Sequence, residues 1–246
     1  MKLAIMQPYL FPYLGYFQLI QAVDKFVFYD DVTYIKGGWI NRNRFLYRGE
    51  VRYFTVPTEN ASSFVPISAV GIQARLPWRS KLIETIRIAY KEAPYLQQGL
   101  ALFRRVIDAP TRNIGDMARA SVEYTLEYVG LKREVVPSSS IYGNAQLKGS
   151  ERVRDICLRE GATEYVNAPG GRSLYRADEF ARQGCRLRFL VPEFPEYRQG
   201  RGEFVAGLSV LDMLMRCPPE QIAGMLNAHS LEPETCGCDK PVPESA

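Results

Sequence analysis

A chain of 246 residues that is 46% hydrophobic and 24% charged has an ordinary globular balance and enough length to bury a core without disulfide staples. A formal charge of +4 supplies no dense basic face, so nucleic acid is not an expected partner. The apolar run at the amino terminus is too short for a signal peptide, and no segment approaches the ~18 apolar residues of a membrane span, so a cytoplasmic protein is expected.

Leu3, Ala4, Ile5 and Met6 form a short apolar run that ends at Gln7-Pro8 and predicts a buried strand. Pro8, Pro12 and Gly15 shape the loop after it. Residues 16–23 read as a short helix and 25–29 as a second strand, a β-loop-α-β opening of nucleotide-binding type. A polar, aromatic loop spans 30–44. A hairpin follows, turned at Arg48-Gly49-Glu50 with 50–56 as its return arm, and 67–72 reads as another strand. Helical spacing runs through 78–91, 95–107 and 113–129, and Gly130 suits a helix end. Alternation resumes with a strand at 134–137, the serines 138–140, a helix at 149–160, a strand at 163–167 and a turn at 169–171. A helix at 178–183, a strand at 185–190 and helices at 208–215 and 219–226 complete the pattern. From 227 to 246 the composition predicts a disordered tail.

The order implies one α/β domain over 1–226, built on a mostly parallel Rossmann-like sheet with a helical insertion at about 78–130. The insertion and hairpin are expected to cap the carboxyl edge of the sheet, where such sheets bind ligands. Cys157 and Cys185 read as small core residues. Cys236-Gly237-Cys238 with His229 lacks the second cysteine pair of a zinc site, so no metal site is expected. His229 is the only histidine, which leaves base catalysis to Asp, Lys or Tyr.

Three clusters carry candidate chemistry. Gln7, Tyr9, Tyr13 and Tyr16 follow the first strand; such rings either roof a core or line a nucleotide or sugar pocket. Asp30 and Asp31 end the second strand, where carboxylates hold Mg²⁺, bind sugar hydroxyls or act as a base. Trp39, Asn41, Arg42, Asn43 and Arg44 come next; Arg42 and Arg44 share one side of an extended chain and suit phosphate. Ser138 and Ser139, with Lys148 beyond them, offer hydroxyls and N–H groups, and Gly170 and Gly171 allow backbone to approach a ligand. Tyr197 and Gln199 complete the polar set.

Several motifs recur in a specific order: Gln7-Pro8-Tyr9, Pro12-Tyr13-Leu14-Gly15-Tyr16-Phe17, Tyr29-Asp30-Asp31-Val32, Trp39-Ile40-Asn41-Arg42-Asn43-Arg44, Ala93-Pro94-Tyr95, the serines 138–140, Gly170-Gly171, Tyr197-x-Gln199 and Leu208-Ser209-x-Leu211-Asp212. In that order they resemble the WbqC-like family of bacterial proteins, from about Leu3 to about Leu226. The resemblance implies a place in O-antigen and other surface-polysaccharide biosynthesis, with glycine transfer onto an amino sugar or sugar nucleotide as the expected reaction. On that basis Arg42 and Arg44 hold phosphate, Asn41 and Asn43 read sugar or carboxylate oxygens, and Asp30 or Asp31 takes the proton of the amine. A non-catalytic nucleotide-sugar binding or assembly protein is the alternative.

A second likeness is to nucleotidylyltransferase-like proteins, whose first loop carries His-x-Gly-His. Tyr13-Leu14-Gly15-Tyr16 keeps the glycine and lacks both histidines. Pantothenate synthetase, of that superfamily, forms an amide through an acyl-adenylate, and the analogy suggests ATP with Mg²⁺ as the cofactor.

Overall fold

The computed structural model describes residues 1–75, 77–200 and 202–233. A six-stranded sheet organises the chain. Its strands are β1 (Lys2–Met6), β2 (Lys25–Phe28), β7 (Glu134–Val136), β8 (Glu164–Asn167), β9 (Arg186–Pro192) and β10 (His229–Pro233). Their spatial order is β10-β9-β8-β1-β2-β7, and every pairing is parallel except β10 with β9. The chain therefore runs outward from β1 through β2 to β7, then crosses back to place β8 on the other side of β1. The expectation of a mostly parallel Rossmann-like sheet holds.

Alternation divides the strands between two cores. Ala4, Phe26, Phe28 and Val166 face α1 (Leu14–Gln21). Leu3, Ile5, Val27, Tyr165 and Phe189 face α5 (Gly149–Arg159) and α6 (Ala177–Ala181), where Cys157 and Cys185 are buried as expected. The loop after β1 leads to α1 and the loop after β8 to α6, so the two connections leave adjacent strands toward opposite faces. The gap between β1 and β8 is the topological switch point, where open α/β sheets bind ligands.

Between β2 and β7 lie the hairpin β3 (Arg42–Tyr47)/β4 (Glu50–Thr55), the short pair β5 (Thr58–Glu59)/β6 (Gly71–Ile72), and helices α2 (Trp78–Ala89), α3 (Leu96–Ile107) and α4 (Ile114–Tyr128). Only 71–72 of the expected strand 67–72 pairs as a strand, because 67–69 coils into a 3₁₀ turn. Helix α4 is capped by Asn113, whose side chain accepts the Asp116 N–H at 2.8 Å, and Gly130 takes the left-handed conformation just past its end.

The hairpin and helices bury their apolar faces in the α1-side core, with α7 (Val210–Arg216) and α8 (Pro219–Met225). The insertion thus thickens one side of the sheet, and the α5-side core contains none of its buried residues.

The expected disordered tail is also corrected in part. Residues 229–233 form β10 on the edge of the sheet, and His229 donates through Nδ1 to the Leu226 carbonyl at 2.9 Å. Residues 234–246, with Cys236 and Cys238, lie outside the described residues. Among the described residues, no helix is long and apolar enough to cross a membrane.

Gln18 of α1 fastens the carboxy-terminal segment to the core. Its buried amide nitrogen meets the carbonyls of Glu193, Met225 and Ala228 at 2.8, 3.0 and 2.9 Å. Gln18→Leu keeps the volume but orphans these carbonyls, so it is expected to lower unfolding free energy by roughly 3 kcal/mol in urea titration.

Candidate functional site

The loop after β1 is held in an unusual shape. Phe11 is fully buried with φ at 44°, a left-handed conformation that non-glycine residues rarely adopt. Three side chains from distant segments hold it there. Ser121 of α4 accepts the Phe11 N–H at 2.8 Å, and Ser209, the N-cap of α7, donates to the Phe11 carbonyl at 2.7 Å. Asn43 of β3 donates to the carbonyls of Leu10 and Phe11 at 3.0 and 2.8 Å.

The loop also sets the tyrosines. Tyr16 is fully buried and donates to the Gln7 carbonyl at 2.9 Å, so it is a strut beneath the strand end rather than a pocket wall. Burial pushes its hydroxyl well above the usual range. Tyr9 packs on Tyr16 at 5.7 Å and Tyr13 on Phe194 at 6.0 Å, and both stay partly exposed. A Cβ at Gly15 would lie 2.4 Å from the Tyr13 ring, which explains the glycine by close packing.

At the carboxyl ends of β1, β2, β7 and β8 the expected residues come together. Asp30 Oδ1 accepts from Ser138 Oγ at 2.7 Å and from the Ser139 N–H at 3.2 Å. Asp31 accepts a short hydrogen bond from Ser139 Oγ and pairs with Arg152 of α5 at 2.5 Å. Arg152 in turn donates through Nε to Asn144 at 2.9 Å, and its guanidinium lies 5.1 Å from the ring of Tyr29. Asn144 donates to Asp155 at 2.7 Å, and Asp155 pairs with Arg159 at 2.8 Å.

The two carboxylates are therefore not equivalent. Asp31 is committed to Arg152. Asp30 has no cation partner among the described residues, and burial raises its pKa above the usual carboxylate value against the pull of the Ser138 and Ser139 donors.

Strand alternation puts Gln7 on the face of Leu3 and Ile5, Tyr29 on that of Val27, and Asn167 on that of Tyr165. The three occupy adjacent strands at the switch point, all toward α5. Gln7 Oε1 is buried there without a donor. Asn167 Oδ1 accepts the Ala168 N–H at 2.8 Å, and a Cβ at Gly171 would sit 2.2 Å from its Nδ2, so this glycine serves the asparagine. A Cβ at Gly170 would meet nothing within 4 Å.

The 39–44 segment forms a separate cluster on the hairpin. Trp39 stacks on Tyr53 with centroids 6.3 Å apart; Arg42 lies 4.8 Å from the Tyr53 ring and Arg44 5.4 Å from the Trp39 ring. Arg42 donates a short bond to the Gly37 carbonyl, and Arg44 donates to the Gly207 carbonyl at 2.8 Å. Among the described residues neither meets a carboxylate.

Asn41 and Asn43 are corrected as ligand contacts. Asn41 accepts from Tyr34 at 2.8 Å and donates to Val56 at 2.9 Å, while Asn43 holds the Phe11 loop. Tyr197 donates to Asp212 at 2.8 Å, and Gln199 clamps Val205 through both ends of its amide, so both brace the structure.

These positions fall within a match to known proteins. A model of the WbqC-like protein family matches residues 7–223. The chain belongs to that family. A relative is the uncharacterized protein Rv1507c of Mycobacterium tuberculosis (strain ATCC 25618 / H37Rv), 28% identical over 221 residues, covering 89% of this chain and 95% of the relative. No solved structure matches the chain.

In this WbqC-like chain the residue most conspicuously missed from sequence is Arg152, one of several charges in a predicted helix. Its position in the first turns of the helix after the serine loop was the available signal, since that helix begins at the carboxyl edge. Among the described residues no three His, Cys, Asp or Glu side chains gather to hold a metal. At this rim, among the described residues, Asp30 is the carboxylate without a cation partner. That fits a Mg²⁺ ion arriving with nucleotide phosphates rather than one held by protein groups alone.

Two measurements check this electrostatic picture. Arg152→Met leaves Asp31 unpaired at 16% side-chain exposure, so it is expected to cost about 3 kcal/mol in urea unfolding, with part recovered in the Asp31→Asn/Arg152→Met double variant. For Asp30, a raised folded pKa means that ionisation opposes folding: the penalty is absent below the ordinary carboxylate pKa and grows as pH rises through the raised value. Asp30→Asn keeps an oxygen for both donors. Its thermal midpoint is expected to equal or exceed that of the wild type near pH 7, and any advantage should vanish by about pH 4.

Proposed function

We propose that this protein is a cytoplasmic transferase of surface-polysaccharide biosynthesis that joins an amino-acid residue, glycine, to the amino group of a nucleotide-linked sugar. The observation that carries this reading is Asp30: a carboxylate at the ligand-binding edge with raised pKa, no cation partner, and donors gathered on one of its two oxygens. Such a group is poised as a general base. Membership of the WbqC-like family supports the reading, as does the uncompensated guanidinium pair of Arg42 and Arg44, which suits a diphosphate.

Amide formation from a free carboxylate is uphill in water, so the donor must be an activated acyl group: an ester, a thioester or an acyl-adenylate formed with ATP. The amine lone pair attacks the acyl carbon and a C–N bond forms. Asp30 Oδ2 takes the amine proton, and the C–O or C–S bond to the leaving group breaks with its electron pair. Ser138 and the Ser139 N–H hold the carboxylate in place throughout. Where an acyl-adenylate is the donor, Arg42 and Arg44 would hold nucleotide phosphates, with Asp30 at the edge of any Mg²⁺ they bring.

Purified protein incubated with UDP-glucosamine and glycine plus ATP, with glycyl-tRNA, or with a glycyl thioester is expected to yield by mass spectrometry a product heavier by one glycyl group. Asp30→Asn is expected to lower turnover at least 100-fold while folding normally and binding the nucleotide sugar. Binding without product from any donor would instead support the non-catalytic nucleotide-sugar protein.

A further inference from the structure

The geometry points to a division of the candidate site into two subsites of different charge. The α5-face cluster of Gln7, Tyr29, Arg152 and Asn167 binds the sugar ring, and the hairpin arginines bind the diphosphate. This rests on the nucleotide-sugar reading above and names which residues take which half of the molecule.

Charge decides the partition. Within this cluster the Arg152 guanidinium is already matched by Asp31, and beyond it Asp155 is matched by Arg159. A phosphate placed against Arg152 would compete with Asp31 for a cation that is already paired. On the hairpin Arg42 and Arg44 have no carboxylate among the described residues, and their guanidinium groups lie on aromatic faces and backbone carbonyls rather than on anions. An anion gains there what it would lose on the other face.

Hydrogen bonding decides the chemistry of the neutral half. Gln7 Oε1 is buried with no donor among the described residues. A buried carbonyl oxygen can only accept, so its missing partner must donate. Phosphate and carboxylate oxygens do not donate near neutral pH, whereas sugar hydroxyls and amines do. A hydroxyl also satisfies either end of the Gln7 amide, so the inference does not depend on which way the amide is turned. The Nδ2 group of Asn167 and the Arg152 guanidinium are donors for the ring's acceptors, and the Tyr29 ring supplies apolar surface beside Gln7.

Calorimetric titration with UDP-glucosamine and with UDP tests the partition. Gln7→Leu is expected to weaken UDP-glucosamine about tenfold, the loss of one buried hydrogen bond, and to leave UDP within about twofold of the wild type. Arg42→Ala is expected to weaken both ligands by the same factor. Gln7→Leu also removes an orphaned acceptor, so the free variant should melt at or above the wild-type temperature, which separates lost contact from lost fold. Equal weakening of both ligands by Gln7→Leu, or no weakening of either, overturns the partition while leaving the transferase reading intact. Failure of the wild type to bind either ligand overturns both.

Discussion

The left-handed Phe11 is the constraint on which the rest of the site depends. A buried aromatic residue at φ 44° pays steric strain, and the chain tolerates it because three distant segments fix both of its peptide groups. Asn43 brings the hairpin, Ser121 brings α4 and Ser209 brings α7. Through this one residue the long insertion and the carboxy-terminal helices are registered against the first strand. Phe11 also packs at 5.2 Å on Phe103 and 6.4 Å on Phe54, so the same residue joins the polar anchors to the core of the insertion. The strand end carrying Gln7 inherits its position from this arrangement, with Tyr16 as a second brace.

Against that rigid frame the two acidic residues at the end of β2 do different work. Asp31 belongs to a chain of paired charges running through Arg152 into α5, and its role is to orient the serine loop and the helix. Asp30 lacks such a partner among the described residues and is held by the Ser138 hydroxyl and the Ser139 N–H. The Asp31 charge still contributes to the raised pKa of Asp30, and Arg152 holds Asp31 in place beside it. The hairpin guanidiniums are the mirror case, cations whose neighbours are rings and carbonyls instead of acids.

Periodicity made much of the architecture legible. The strands at 3–6, 25–29 and 163–167 and the helices of the insertion follow from apolar spacing, because burial on a sheet face or helix stripe writes directly into sequence. The meeting of Asp30 and Asp31 with Ser138 and Ser139 followed from the parallel-sheet rule, whereas Arg42 and Arg44, expected beside them, form their own cluster on the hairpin. Other features were not legible for a physical reason. Asn41 and Asn43 look like ligand contacts because an amide's partners are chosen by tertiary structure, and here they are backbone carbonyls and Tyr34. Arg152 looked like surface charge because its burial depends on Asp31 and Asn144, far away in the chain. Composition gave no hint of β10, since a Pro- and Glu-rich segment on an edge strand needs only its backbone to pair.

That last strand has a consequence for how the molecule behaves among its own kind. β9 is seven residues long and largely apolar, and without β10 it would offer an open row of amides and carbonyls to any passing chain. The opposite margin of the sheet, β7, is only three residues long and begins at Glu134, so it recruits poorly. By laying five antiparallel residues along β9 and ending them at Pro233, the chain turns its one adhesive border into a guarded one, and a version lacking those residues would be drawn toward self-association.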